Sequence, residues 1–195
     1  GLGDVYKRQA PDGSEAFAVL HRPMWDLGET KPGQGVRVPA GVSDERQSIW
    51  ISYVPVASVR EDLANLTLWE QHRFVAGPEF PFEAVKIGGG PPPLRIPEGW
   101  LVLHHGVTGV IDSAFSQQQK VNYAAGALIL DADDPSRVIA RTPEPLLAPE
   151  TDDERSGIVP NVVFPTAIEE IDGRHFVFYG MADSKIGVAL LERTD

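Results

Sequence analysis

The chain has 195 residues, and its hydrophobic content of 42% is enough for one domain with a sizeable core. The formal net charge of -11, from 28 acidic against 17 basic residues, argues against nucleic acid or an anionic membrane as a partner, because both need a basic face. The sequence contains no cysteine, which excludes disulfides and thiolate metal sites and allows a reducing compartment; we predict a cytoplasmic protein. The apolar run at 124–130 is too short to span a bilayer.

The N-terminal residues 1–9, GLGDVYKRQ, do not look like a targeting segment. No apolar stretch follows Lys7 and Arg8, as a signal peptide would require. These residues also fit poorly onto the sequence that follows them. We therefore predict that residues 1–9 are a non-native lead-in, and that residues 10–195 are the C-terminal portion of a single domain.

Short apolar segments separated by turn residues predict an all-β chain without a long helix. Strands are expected at residues 16–20, 49–54, 66–75, 100–104, 121–130, 137–141, 161–171, 175–179 and 186–191. Loops are expected at residues 28–43, 107–120 and 143–157, and a single helical turn at residues 60–65. Helix competes at 121–130 because alanine favours it, but the flanking Val and Tyr residues favour a strand.

The stretch at 86–106, KIGGGPPPLRIPEGWLVLHHG, combines a glycine and proline segment with two histidines. Glycines at 88–90 let the backbone approach a ligand, and prolines at 91–93 hold the chain extended. We predict a loop here with Lys86 at its mouth, followed by a strand that His105 and Gly106 end. The alternative is a stiff loop leading into a core strand, with both histidines serving only the structure.

Three segments of the chain repeat one pattern, in which a turn with glycine precedes an apolar strand that closes on an aromatic residue or histidine. They are DGSEAFAVLHR, PEGWLVLHHG and DGRHFVFYG, beginning at Asp12, Pro97 and Asp172. Each is followed by another strand, as in the blades of a β-propeller; a β-sandwich is the alternative. About three blades cannot close a ring, so the chain is predicted to be part of a longer propeller.

Ligands of a propeller usually meet at one end of the central channel, where turns of successive blades converge. The candidate binding residues lie at equivalent strand ends or starts: Arg22, Lys86, His105, Tyr123, Asn161 and Asp183. Two cations, a phenol, an amide and a carboxylate suit a sugar ring beside an oxyanion.

Other kinds of site fit the sequence less well. The five histidines include no pair at helical spacing, so no metal site is predicted, and His72 and His175 are taken as ordinary strand residues. No serine lies on a G-x-S-x-G turn, which disfavours a Ser/His/Asp triad. Glycoside hydrolysis needs paired carboxylates, and Asp183 is alone at the expected channel end. Phosphate as the nucleophile would need no general base but would need cations.

Three long motifs carry a resemblance to a known family. GGGPPPLRIPEGWLVLHHG, YAAGALILDADDPSRVIARTPEPLLAPE and GIVPNVVFPTAIEEIDGRHFVFYGMADSKIGVA resemble, in this order, the second half of glycoside hydrolase family 130. The similarity spans residues 17–191. It implies a partial five-bladed propeller and an inverting phosphorylase. In this reaction phosphate attacks the anomeric carbon of a terminal β-linked mannose, and α-mannose 1-phosphate is released as the product.

The resemblance also assigns roles to residues. By motif, Arg22 and Lys86 are expected to bind phosphate with His105 and Tyr123 nearby, while Asn161 and Asp183 are expected to contact sugar. The catalytic acid of the family lies in an EDPR motif of its first half, which this sequence lacks. No catalytic residue is therefore expected here, and the 195 residues alone should be inactive.

The implied ligands are a mannose-containing oligosaccharide and inorganic phosphate, the latter as co-substrate, with no other cofactor. A homo-oligomer is allowed but nothing in the sequence specifies one. Two alternatives stay open: a hydrolase of the same fold in which water replaces phosphate, and a sugar-binding propeller without catalysis.

Overall fold

The structure, a computed structural model, describes residues 7–24, 39, 42–111 and 119–193. Within these ranges the chain is nearly all β and folds into three antiparallel sheets that follow one another along the sequence. The helices in the described ranges are too short to cross a membrane. Parts of the predicted lead-in and of the predicted loops at 28–43 and 107–120 lie outside the described residues.

The first sheet has the strand order β1-β2-β3-β4. Its strands are β1 (Lys7–Gln9), β2 (Glu15–His21), β3 (Ile49–Pro55) and β4 (Glu70–Ala76). Helix α1 (Val56–Glu61) and a 3₁₀ helix (Leu63–Thr67) connect β3 to β4. The strand predicted from residue 66 begins later because the Asp62 side chain accepts a hydrogen bond from the Ala64 N–H, at 2.9 Å, and caps the 3₁₀ helix.

The second sheet is built on a long hairpin. It contains β5 (Lys86–Gly89), β6 (Leu94–Ile96), β7 (Gly99–Gly109), β8 (Val121–Leu130) and β9 (Val138–Arg141). Both β5 and β6 pair with the same side of β7, and β8 pairs with the other side. A 3₁₀ helix (Pro81–Glu83) precedes β5.

Two expectations about the glycine and histidine stretch are wrong. Gly88 and Gly89 belong to β5 and pair with His105 and His104, so this segment is not a loop. Strand β7 also does not end at the histidines but continues to Gly109, because it remains paired with β8 as far as Val121. Both histidines therefore lie in the middle of a sheet.

The third sheet has the order β10-β11-β12, with β10 (Val163–Ile171), β11 (Arg174–Met181) and β12 (Lys185–Leu191). Asp172 and Gly173 join β10 to β11, both with positive φ, of 52° and 75°. Two such residues form the tight turn whose twist matches that of a hairpin, and Asp-Gly is a preferred pair for it. Helix α2 (Asp152–Arg155) lies within the predicted loop at 143–157, which is thus partly wrong.

Apolar side chains fill the space between successive sheets. The cluster between the first and second sheets includes Ile49, Ile51, Tyr53, Val75, Ile87, Trp100, Val102, Leu128 and Leu130. Smaller clusters join β7 and β8 to the third sheet through Val107, Tyr123 and Val162, through Leu103 and Val177, and through Ala125 and Val163. The sheets therefore pack face to face, as blades of a propeller do.

Candidate functional site

Strand β7 separates two clusters of charged residues. Because alternate residues of a strand face opposite sides, the side chains of His104 and His105 point in opposite directions. Each has a glycine beside it on the neighbouring strand: a Cβ at Gly126 would lie 2.6 Å from the His104 ring, and a Cβ at Gly88 would lie 2.6 Å from the His105 ring. The glycines thus give both imidazoles room within the sheet.

His105 contacts Arg22, which follows strand β2 of the first sheet. The Arg22 Nη1 donates to His105 Nε2 at a distance of 3.1 Å. Since the guanidinium can only donate, Nε2 must accept, and His105 is neutral with its proton on Nδ1. Burial, together with Arg22, His104 and Lys86, holds the pKa of His105 well below its usual value. His105 therefore orients the guanidinium without adding charge.

Lys86 brings a second cation to the same place. Its Nζ lies 5.7 Å from the centre of the Tyr123 ring, and the residue is only 8% exposed. Burial, together with the nearby charge of Arg22, lowers the pKa of Lys86 to about 8. Burial likewise lowers the pKa of Arg22. We call Arg22, Lys86, His105 and Tyr123 the cationic cluster.

Aromatic rings line the cationic cluster. The Phe164 ring, on β10, lies 4.4 Å from His105 and 6.4 Å from Tyr123, centre to centre. Burial raises the pKa of Tyr123; Arg22 opposes this shift and Asp183 adds to it. The phenol is therefore protonated at neutral pH and can donate a hydrogen bond.

Asn161 and Asp183 lie at the edge of the cationic cluster on the side of the third sheet. The Asn161 carbonyl accepts a hydrogen bond from the Tyr123 N–H at 2.9 Å, and the exposed Asp183 interacts electrostatically with Tyr123. Both residues have positive φ, of 58° and 50°, a conformation that Asn and Asp tolerate better than most residues. All six residues predicted from the sequence thus lie in one region.

The two cations of the cationic cluster have no ion-pair partner in the part of the chain that the structure describes. No carboxylate there lies within ion-pair distance of Arg22 or Lys86. Holding a lysine whose pKa is lowered from 10.5 to about 8 costs about 3 kcal/mol at neutral pH. Two neighbouring cations, the half-buried Arg22 and the buried Lys86, that have no ion-pair partner among the described residues are suited to binding an anion. The same ranges contain no group of three or more His, Asp or Glu residues placed to hold a metal ion.

The opposite face of β7 carries a cluster that sequence reasoning missed. His104 Nε2 donates to Glu83 Oε1 at 2.7 Å, and Arg141 Nη2 donates to Glu83 Oε2 at 2.6 Å. Glu83 also accepts the N–H groups of Glu79 and Phe80. Burial alone would raise the pKa of Glu83, but these hydrogen bonds lower it to about 2. We call Glu83, His104 and Arg141 the paired cluster.

A second glutamate repeats this arrangement one sheet later. Glu154 accepts the N–H groups of Glu150 and Thr151, both at 2.8 Å, and the hydroxyl of Tyr179 at 2.9 Å. Burial and Glu154 raise the pKa of Tyr179 to about 12. The two glutamates end matching P-E-x-x-x-E segments at 78–83 and 149–154, a repeat visible in the sequence. Phe164, in contrast, has no such signal.

Comparison with known proteins identifies the family of the chain. The profile of glycoside hydrolase family 130, described as beta-1,4-mannooligosaccharide phosphorylase, matches residues 60–194. A beta-1,2-mannobiose phosphorylase of Thermoanaerobacter sp. (strain X514) is 43% identical over 112 residues, 57% of this chain and 34% of that protein. A 1,2-beta-oligomannan phosphorylase of the same organism is 37% identical over 148 residues, 75% of this chain and 44% of that protein.

A solved structure extends the similarity to the fold. The beta-1,2-mannobiose phosphorylase of Listeria innocua, in complex with beta-1,2-mannobiose, superposes with a TM-score of 0.65 at 27% identity, covering 91% of this chain and 40% of that one. The chain thus spans less than half the length of each of these three relatives. The predicted partial propeller is confirmed, and the chain belongs to glycoside hydrolase family 130.

Proposed function

We propose that this chain forms the phosphate-binding side of an inverting β-mannoside phosphorylase. Phosphate attacks the anomeric carbon of a terminal β-linked mannose, and α-mannose 1-phosphate is released. The observation that carries the proposal is the cationic cluster, in which the half-buried Arg22 and the buried Lys86 interact electrostatically and neither has a carboxylate partner among the described residues. The names of the phosphorylase relatives support it.

Each member of the cationic cluster has a part in binding the anion. Arg22 and Lys86 supply charge-assisted hydrogen bonds, and His105 holds the guanidinium through its Nε2. Tyr123 offers a neutral hydroxyl next to Lys86. Fixing the phosphate in this way places a nucleophile that carries its own negative charge, so no general base has to activate it.

The sugar is expected on the side of the third sheet. Asn161 and Asp183 flank Tyr123 and offer an amide and a carboxylate, which suit the hydroxyl groups of mannose. Asp183 is then engaged in sugar binding, so another acid must protonate the leaving oxygen. In this proposal the general acid lies in the half of the propeller that this chain does not span.

The test is whether cleavage requires phosphate. In the complete protein that carries this chain, β-1,2- and β-1,4-mannobiose are incubated with and without inorganic phosphate, and α-mannose 1-phosphate is followed by ³¹P NMR. Lys86→Ala should lower phosphate-dependent turnover by about 10³-fold, whereas the exposed Lys185→Ala should not. Equal cleavage without phosphate would show a hydrolase instead, and sugar binding without turnover would show a non-catalytic propeller.

A further inference from the structure

The turn that joins β11 to β12 is strained, and it carries Asp183. Met181 and Lys185 form the last pair of this hairpin, and the Ser184 N–H donates to the Met181 carbonyl at 3.0 Å. Ala182 and Asp183 are thus the central residues of the turn, with φ values of 46° and 50°. This left-handed conformation is unfavourable for L-residues other than glycine, and least so for Asn and Asp.

A hairpin turn does not require this strain. The turn between β10 and β11 also has positive φ at both central residues, but there they are Asp172 and Gly173, and glycine adopts the conformation at no steric cost. Ala182, in contrast, is an unusual residue for such a position, and it is fully buried. Strained residues persist where the surrounding structure holds them, and they concentrate at ligand sites. Contacts outside the turn must therefore hold Ala182 and Asp183.

The neighbouring segment at 157–162 supplies contacts on one side of Asp183. The Ala182 N–H donates to the Val162 carbonyl at 3.0 Å, and the Ala182 carbonyl accepts a hydrogen bond from the Val159 N–H at 3.3 Å. Both backbone polar groups of Ala182 are therefore paired with this segment. The first central residue of the turn is fixed by these two hydrogen bonds.

Ser184 ties the turn to the same segment on the other side of Asp183. Its hydroxyl donates to the Ala182 carbonyl at 2.9 Å and accepts a hydrogen bond from the Ile158 N–H at 3.1 Å. This close approach needs a glycine in the segment, because a Cβ at Gly157 would lie 2.1 Å from the Ser184 Oγ. Both residues that flank Asp183 are thus held against one segment.

That segment also contains Asn161, the other residue expected to contact sugar. The Asn161 carbonyl accepts a hydrogen bond from the Tyr123 N–H at 2.9 Å, and Asp183 interacts electrostatically with Tyr123. Asn161 and Asp183 therefore belong to one hydrogen-bonded unit. Among the described residues, Arg22 and Lys86 are not partners in the hydrogen bonds that fix the turn.

We propose that Ser184 is a positioning residue for mannose recognition, which holds Asp183 in its left-handed conformation so that the carboxylate is presented to the sugar. The inference rests on the proposed function, in which Asp183 contacts mannose. Water can replace the hydrogen bonds of an exposed hydroxyl, but it does not fix the turn. Loss of the Ser184 hydroxyl should therefore weaken use of the mannoside and leave phosphate binding unchanged.

Initial rates of the complete protein that carries this chain test the role of Ser184. The mannobiose that the parent protein cleaves is varied at saturating phosphate, and phosphate is varied at saturating mannobiose. For Ser184→Ala we expect kcat/KM for mannobiose to fall about tenfold, because the carboxylate is displaced, while the KM for phosphate changes by less than about twofold. Ser184→Thr retains the hydroxyl and should restore the parent value.

Ser136→Ala is the matched control. The Ser136 hydroxyl likewise donates within a turn, to Asp134 Oδ1 at 2.6 Å, but this turn joins β8 to β9. The control should leave both kinetic constants unchanged.

Three results would overturn the positioning role of Ser184. Equal losses for mannobiose and phosphate would show a general loosening of the third sheet, and unchanged kinetics would show that the turn does not need the hydroxyl. Failure of Ser184→Thr to restore kcat/KM would show that the hydroxyl is not what matters. Cleavage that does not need phosphate would contradict the phosphorylase instead, and Ser184→Ala should still lower kcat/KM for mannobiose.

Discussion

The two faces of strand β7 carry similar residues but differ in how charge is balanced. On one face, the paired cluster surrounds the Glu83 carboxylate with His104, Arg141 and two backbone N–H groups. On the other face, the cationic cluster holds Arg22 and Lys86 near a neutral His105, with no acid beside them in the described part of the chain. One strand therefore separates a carboxylate whose two oxygens are both paired from two cations that have no ion-pair partner among the described residues.

This difference separates a structural role from a binding role. A buried carboxylate whose oxygens all have donors holds its neighbours in place, because removing it would leave their donors unpaired. Buried cations without a counter-ion lower stability, and an anion that enters from solvent would restore the balance. The paired cluster should therefore matter for folding and the cationic cluster for ligand binding. Three changes test this division.

The largest effect is expected from Glu83→Ala. This change leaves His104 and Arg141 buried without their acceptor, and the free energy of unfolding should fall by about 3–5 kcal/mol. Chemical denaturation measures the loss. Glu79→Ala is the matched control: Glu79 also pairs with Arg141 but is 62% exposed, so its loss should cost about 1 kcal/mol or less. Equal losses of unfolding free energy in the two variants would show that burial of Glu83 in the paired cluster adds no stability beyond that of an exposed ion pair.

The opposite pattern is expected for Arg22→Met, which replaces a half-buried cation by an apolar side chain. Phosphate binding should weaken by about 100-fold, equivalent to about 2.7 kcal/mol, because a charge-assisted partner is lost. The free energy of unfolding should stay the same or increase. Calorimetric titration with phosphate measures the first quantity, and Arg155→Met, on an exposed arginine, is the control. A large loss of stability would place Arg22 with the structural residues.

The smallest effect concerns pH. Because burial lowers the pKa of Lys86 to about 8, the ammonium is mostly charged at pH 7 and mostly neutral at pH 9. Phosphate is already a dianion above pH 8, so its affinity should fall by about tenfold between pH 7 and pH 9 as Lys86 loses its proton. Lys86→Arg, which stays charged, should remove this dependence. An unchanged pH profile in that variant would assign the titration to another group.

The sequence predicted strands best where both ends carry turn residues. The predicted strand at 121–130 matches β8, which begins after a polar segment and ends at Asp131. The loop predicted for the glycine segment is wrong, because glycine usually indicates a loop whereas Gly88 and Gly89 lie in strand β5. Here Gly88 is needed inside a strand, since a Cβ would lie 2.7 Å from Arg22 Nη1. Only knowledge of which side chains cross the sheet reveals that requirement.

The candidate site shows the same limit. The six residues predicted from strand ends and from the family resemblance do come together, because equivalent positions of successive sheets face one region. Phe164 and Arg141 were not found, since their roles depend on partners far away in the sequence. Glu83 can be predicted from the sequence, because it ends one of the two repeated P-E-x-x-x-E segments. A repeat of polar residues with fixed spacing is as informative about the sheets as the repeat of apolar strands.

The adjacency of His104 and His105 also limits how the length of this chain can change during evolution. Deleting or inserting one residue in β7 before His104 would move each imidazole to the face now occupied by the other. His105, which now accepts a hydrogen bond from Arg22, would then face the Glu83 carboxylate. His104, which now donates to Glu83, would face the Arg22 guanidinium. Variation in length should therefore be confined to the connections, while the segment from Gly99 to His105 keeps a constant number of residues even where its side chains differ.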